Sequence, residues 1–262
     1  MGLFNFFILL FIIVMLHEGG HLVVAKMNKV QVNTFSIGFG WRIIGFKFFK
    51  SKFSGKVYIS WQWFNFKPYK SWLWNYLDGT EYRIAPILFG GFCAMDGETK
   101  GTGKSTDLVS KTYLQKVCVA LAGVAVNFVT GFLAIFAVVV SKVGIKESVG
   151  VTFKYLGLMF NAIGMAVFEL CIGQGQITTA SETAKVMTGL TWEMYLLFFG
   201  VFSITLGLFN LLPIPALDGS LPLLWLVEKW HKNGQVIVSV IVRIGFVILM
   251  ILQLIILFYW VR

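Results

Sequence analysis

The chain has 262 residues, 57% of them apolar and only 13% charged, with a formal net charge of +10 and strongly positive mean hydropathy. Such a composition belongs in a bilayer and argues against an ordinary soluble domain. The positive charge does not point to nucleic acid, because 14 of the 22 Lys and Arg fall between Lys26 and Lys116, bounded on each side by an apolar run, as in a cytoplasmic loop of a membrane protein.

The first apolar run covers about residues 3–25. No basic residue precedes it and no small-x-small cleavage pattern closes it, so it reads as a retained span rather than a signal peptide. Inside it lies His17-Glu18-Gly19-Gly20-His21, an H-E-x-x-H motif. Residues four apart share a helix face, so both imidazoles can reach one metal ion. Glu18 is turned about 100° from His17, which lets it meet a water at the metal without taking a ligand position. Such residues are costly in a membrane helix unless paired or coordinated, and by default they mark function.

Between Val30 and Met95 the pattern changes from helical to alternating, with Val57, Ile59, Trp61 and Trp63 on one face of a predicted strand. Glycines punctuate it at Gly38, Gly40, Gly90 and Gly91, and the segment reads as short β-hairpins or membrane-dipping loops. Trp61, Trp63, Trp72 and Trp74 fit an interfacial anchor, and an exposed strand edge could alternatively pair with an extended substrate. The stretch Gly101-Thr102-Gly103-Lys104-Ser105-Thr106 suggests a phosphate loop but fails on spacing, because position 98 is Glu98 where glycine is needed. Cys93, Cys118 and Cys171 form no C-x-x-C pair and read as buried filler.

A second apolar run covers about residues 117–140, a third 194–212 and a fourth 236–260, each long enough to cross a core of about 30 Å. The stretch from Gly150 to Ile172 carries Lys154, Asn161 and Glu169 and reads as an amphipathic helix on the outer leaflet. That choice returns the third span inward and brings Asp218 to the same side as His17 and His21. The predicted class is therefore a mainly α membrane protein, one domain over residues 1–262, with four spans and a β-hairpin and loop region between the first and second. Asp218 follows the proline-punctuated Asn210-Leu211-Leu212-Pro213-Ile214-Pro215-Ala216-Leu217, and its position suits a third metal ligand and a helix N-cap equally. His231, between Lys229 and Lys232, reads as a solvated surface histidine.

In these residues the sequence resembles the site-2 protease family in its bacterial form. His17 to His21 matches the zinc helix, and Asn210 to Gly219 matches the N-x-x-P-x-P-x-x-D-G stretch. Phe35-Ser36-Ile37-Gly38-Phe39-Gly40, Gly79 to Ala85, Gly90-Gly91-Phe92, Ala122 to Phe128 and Arg243-Ile244-Gly245 follow in family order. The resemblance implies an intramembrane metalloprotease with Zn2+ as cofactor, His17, His21 and Asp218 as its ligands and Glu18 as catalytic base. It further implies a single-span membrane protein or signal-peptide remnant as substrate, held extended by Asn210, Pro213 and Pro215, with Asn127 lining the site. The plasma membrane, with the active site toward the cytoplasm, is the implied location, and no nucleic acid partner is expected. A metal transporter or metal-stapled scaffold is the alternative reading, though beyond Asn5, Asn127 and the motif the spans lack a polar pathway. Three departures stand out: about fifty residues between the second and third spans leave no room for a PDZ domain, Val124 stands where a proline is frequent, and Trp41 to Asp78 is unusually long and aromatic.

Overall fold

In the computed structural model, residues 2–50, 57–65, 79–98, 101–171, 182, 185–186, 188–230 and 233–261 are described. Helix α1 spans Gly2–Met27, and five strands follow: β1 (Val32–Phe39), β2 (Arg42–Lys50), β3 (Val57–Asn65), β4 (Glu81–Ile84) and β5 (Ile87–Met95). The remaining helices are α2 (Tyr113–Val143), α3 (Ile145–Cys171), α4 (Trp192–Leu211), α5 (Ser220–Trp230) and α6 (Gly234–Val261). Helices α1, α2 and α4 are long and apolar enough to cross a membrane. The fourth predicted span is helical as α6, whose apolar stretch Val236–Leu252 is shorter.

Residue contacts divide the chain into two compact units. One comprises residues 14–123 and 221–239 and contains the sheet, in the order β3-β2-β4-β1-β5. Here the structure departs from the predicted run of hairpins. Among the described residues, only β2 and β3 form a local antiparallel hairpin, whereas β1 pairs parallel with β4, through Thr34 with Glu81 and Ile37 with Ile84, and antiparallel with β5. Parallel partners need a long connection, and 41 residues separate the end of β1 from the start of β4 (40–80). The core of this unit gathers Ala25, Val30, Val32, Cys93, Leu108, Val119, Ala120 and Trp225. Trp72 and Trp74, assigned to an interfacial anchor from sequence, lie outside the described residues, as does His231.

The other unit comprises residues 1–13, 124–220 and 240–262. Its core is Ile135, Val139 and Ile204, against which Val151, Leu156 and Met159 of α3 pack. A side chain at Gly131 would meet the carbonyl of Gly200 at 2.8 Å, and one at Gly200 would meet the carbonyl of Gly131 at 3.0 Å, so α2 and α4 touch backbone to backbone. Small residues at helix crossings of this kind replace the hydrophobic drive that lipid cannot supply. Asn5 Nδ2 donates to Tyr195 Oη at 2.6 Å, which satisfies a polar group inside the first apolar helix.

Candidate metal centre

The H-E-x-x-H sequence lies entirely within α1, so the i, i+4 spacing of its histidines is realised on one helix face. His17, Glu18 and His21 are all buried. The Nε2 atoms of the two imidazoles stand 3.4 Å apart, with the rings edge to face at 4.9 Å between centroids. His21 Nδ1 lies 2.8 Å from the carbonyl oxygen of Val119. A carbonyl only accepts, so Nδ1 carries the proton and the Nε2 lone pair is directed at His17. This arrangement fixes the tautomer in the form a divalent metal requires.

Two glycines leave room for the motif. A Cβ at Gly123 would come within 2.4 Å of His21 Nε2 and 2.7 Å of His17 Cε1. A Cβ at Gly91 of β5 would lie 2.8 Å from Glu18 Cγ. Both glycines belong to stretches that resemble the family, Gly90-Gly91-Phe92 and Ala122 to Phe128, but the sequence assigns neither a role. A glycine inside a strand or a long helix signals a close approach, but what each admits is set by a side chain distant in sequence. Cys93, also on β5, is held well away from thiolate chemistry: burial pushes its thiol up to about 12, the nearby Glu18 and Glu98 carboxylates push the same way, and Lys26 opposes them. A buried structural cysteine was expected and is found there. Cys118, expected to be buried, is exposed on α2, because the apolar surface of a membrane helix need not face protein.

Asp218 lies in the turn ahead of α5, and its Oδ2 is buried. Helix α4 ends at Leu211, with Leu212 extended, because Pro213 disfavours a helical residue before it and cannot donate. The chain then folds back so closely that a Cβ at Gly219 would strike the Leu211 carbonyl oxygen at 2.1 Å, while Gly219 N–H donates to the carbonyl of Asn210 at 2.7 Å. Ala216 sits at φ 79°, a strained left-handed conformation held by this turn. Pro213 is exposed and Pro215 half-buried. Asn210 turns its amide onto its own helix, donating to the Leu206 carbonyl at 3.1 Å. Asn127 is fully buried on α2, and its backbone carbonyl accepts from Ser203 Oγ at 3.0 Å.

The donor set suits zinc, which takes neutral imidazoles and carboxylate oxygens and, with three protein ligands, retains an open position. The model of peptidase family M50 matches residues 5–59 and 69–252 of this chain. A Clostridium perfringens protein provisionally named zinc metalloprotease CPE1693 is 28% identical over 130 residues, 50% of this chain and 30% of its own length. A similarly named protein of Rickettsia conorii is 40% identical over 83 residues, 29% of this chain and 22% of its own. The zinc metalloprotease Rip1 of Mycolicibacterium smegmatis is 26% identical over 144 residues, 53% and 29% respectively. The chain thus matches less than a third of the length of each of these curated relatives. The family match takes in both the helix of His17 and the turn of Asp218 and runs over most of the sequence, and the chain belongs to peptidase family M50.

Proposed function

We propose that the chain is an intramembrane zinc metalloendopeptidase that hydrolyses a peptide bond in or near the membrane segment of a single-span protein or a signal-peptide remnant. The observation that carries the reading is that His17 and His21, four apart on α1, bring their Nε2 atoms to 3.4 Å with Glu18 buried between them in sequence; Asp218, in the stretch that resembles the family's N-x-x-P-x-P-x-x-D-G motif, is the third ligand in this reading. Membership of peptidase family M50 and the fixed tautomer of His21 support it. Zinc held there supplies a Lewis acid that polarises the scissile carbonyl and brings the pKa of a water toward about 7. Glu18, one residue on from His17, takes the proton of the attacking water and passes it to the leaving amine. The apolar surroundings exclude bulk solvent and strengthen each electrostatic contact.

A helical substrate hides its carbonyls in its own hydrogen bonds, so the scissile segment must unwind. In this reading the turn Pro213 to Pro215, with Asn210 and Asn127, holds the unwound segment extended. The chain works as one domain in the plasma membrane, α6 forms a fourth crossing, α3 lies at the outer leaflet and the centre faces the cytoplasm.

Glu18→Gln separates binding from chemistry. The variant is predicted to keep its zinc, measured by mass spectrometry of the purified chain, while cleavage of a model single-span substrate falls by about 10²- to 10⁴-fold, the usual contribution of a general base. Cleavage at the wild-type rate would overturn the proposal.

A further inference from the structure

The β2–β3 hairpin carries an aromatic face that the proteolytic reading does not use. Ile44 pairs with Trp63, Phe46 with Trp61 and Phe48 with Ile59, and residues directly opposite in an antiparallel pair share a face. All six are apolar, and Phe48, Ile59, Trp61 and Trp63 are 44–66% exposed. Gly45, Ser60 and the buried Lys47 fall on the opposite face. A contiguous apolar patch of this kind marks a contact surface.

Two observations identify what it contacts. The ladder is fastened to the end of a candidate span: Trp61 lies 5.1 Å from Phe46, Phe46 stacks on Tyr82 at 5.1 Å, and Lys26 Nζ donates to Tyr82 Oη at 2.8 Å. Lys26 is the basic residue in the last turn of α1, the position from which lysines reach the headgroup layer and at which tryptophans concentrate. Residues 41–70 also contain seven Lys and Arg and no Asp or Glu; Arg42 is buried on Glu81 and Lys47 is buried, which leaves five lysines of the segment for an outside partner. A segment so one-sided in charge complements anionic headgroups, whose surface potential attracts basic segments.

We propose that the β2–β3 hairpin rests its aromatic face on the anionic lipid surface beside the end of α1. The inference rests on α1 crossing the bilayer, and the test separates the two. Nitroxide labels are placed singly at Trp61→Cys, Trp63→Cys, Ser60→Cys and Ile12→Cys in the full chain with Cys93, Cys118 and Cys171 replaced by serine. The chain is reconstituted in phosphatidylcholine vesicles with and without phosphatidylglycerol, and accessibility to oxygen and to a water-soluble nickel chelate is read by electron spin resonance.

With phosphatidylglycerol, the oxygen-to-nickel ratio at 61 and 63 is predicted to exceed that at 60 by about fivefold or more, and to fall when the anionic lipid is left out. Equal ratios at 60, 61 and 63, or protection from both reagents as against a protein partner, overturn the proposal while a lipid-immersed label at 12 leaves the span intact. Immersion independent of phosphatidylglycerol overturns the anionic assignment, and a water-exposed label at 12 overturns both readings. If the cysteine-free chain does not fold, quenching by brominated phosphatidylglycerol is compared between the wild-type chain and a Trp61→Phe, Trp63→Phe variant. Loss of a large share of the quenching supports docking, and unchanged quenching overturns it.

Discussion

A methyl group added at Gly123 would lie 2.4 Å from His21 Nε2 and 2.9 Å from His17 Nδ1, so the imidazoles hold their present positions only because α2 has no side chain at that point. Gly123→Ala should favour α2 by its intrinsic helix propensity, about 1 kcal/mol. It should nonetheless weaken zinc binding by about 10- to 100-fold, the loss usual when groups that orient ligands are disturbed. Competition with a fluorescent chelator measures this, and unaltered affinity would show that the imidazoles relax without cost. The two histidines and Glu18 were legible from spacing alone, since i, i+4 geometry depends only on a continuous helix. Gly123 was not, because its importance lies in a contact with a residue about a hundred positions away. Asp218 was half legible: its place after two prolines left ligand and helix cap open, and only resemblance favoured the ligand.

Among the elements, the loop between β5 and α2 shows how one buried carboxylate shapes a segment. Burial alone would raise the pKa of Asp107, but its carboxylate accepts from Thr102 N–H at 2.5 Å, Thr102 Oγ1 at 2.8 Å and Lys104 N–H at 3.3 Å, as well as from the Gly103 backbone, and these bonds hold the pKa below the usual carboxylate range. A group whose pKa is depressed on folding adds stability above its unfolded pKa, about 3.9, and loses that contribution as pH falls through the folded value. Asp107→Asn is therefore predicted to lower the thermal midpoint at pH 7, with the deficit shrinking as both chains are acidified below the unfolded value. A deficit constant with pH would assign the effect to packing instead. The same loop shows why Gly101 to Thr106 mimicked a phosphate motif: its glycines and hydroxyls wrap a carboxylate of the chain itself. The long apolar helices were readable to within a few residues because length and composition set them. The parallel pairing of β1 with β4 was not, because strand order depends on contacts across an intervening hairpin that no local pattern records.

For the molecule as a whole, composition, family and three helices long enough to cross make this a membrane protein of peptidase family M50. The proposed activity requires His17, His21 and Asp218 to bind one zinc ion together. Zinc K-edge X-ray absorption on the full chain and on Asp218→Ala tests it most directly. The predicted wild-type spectrum has two imidazole nitrogens at about 2.0–2.1 Å and a carboxylate oxygen at about 2.0–2.2 Å, with one zinc per chain. In Asp218→Ala the carboxylate contribution disappears and bound zinc falls. A variant that keeps full zinc occupancy and an unchanged spectrum would contradict the claim.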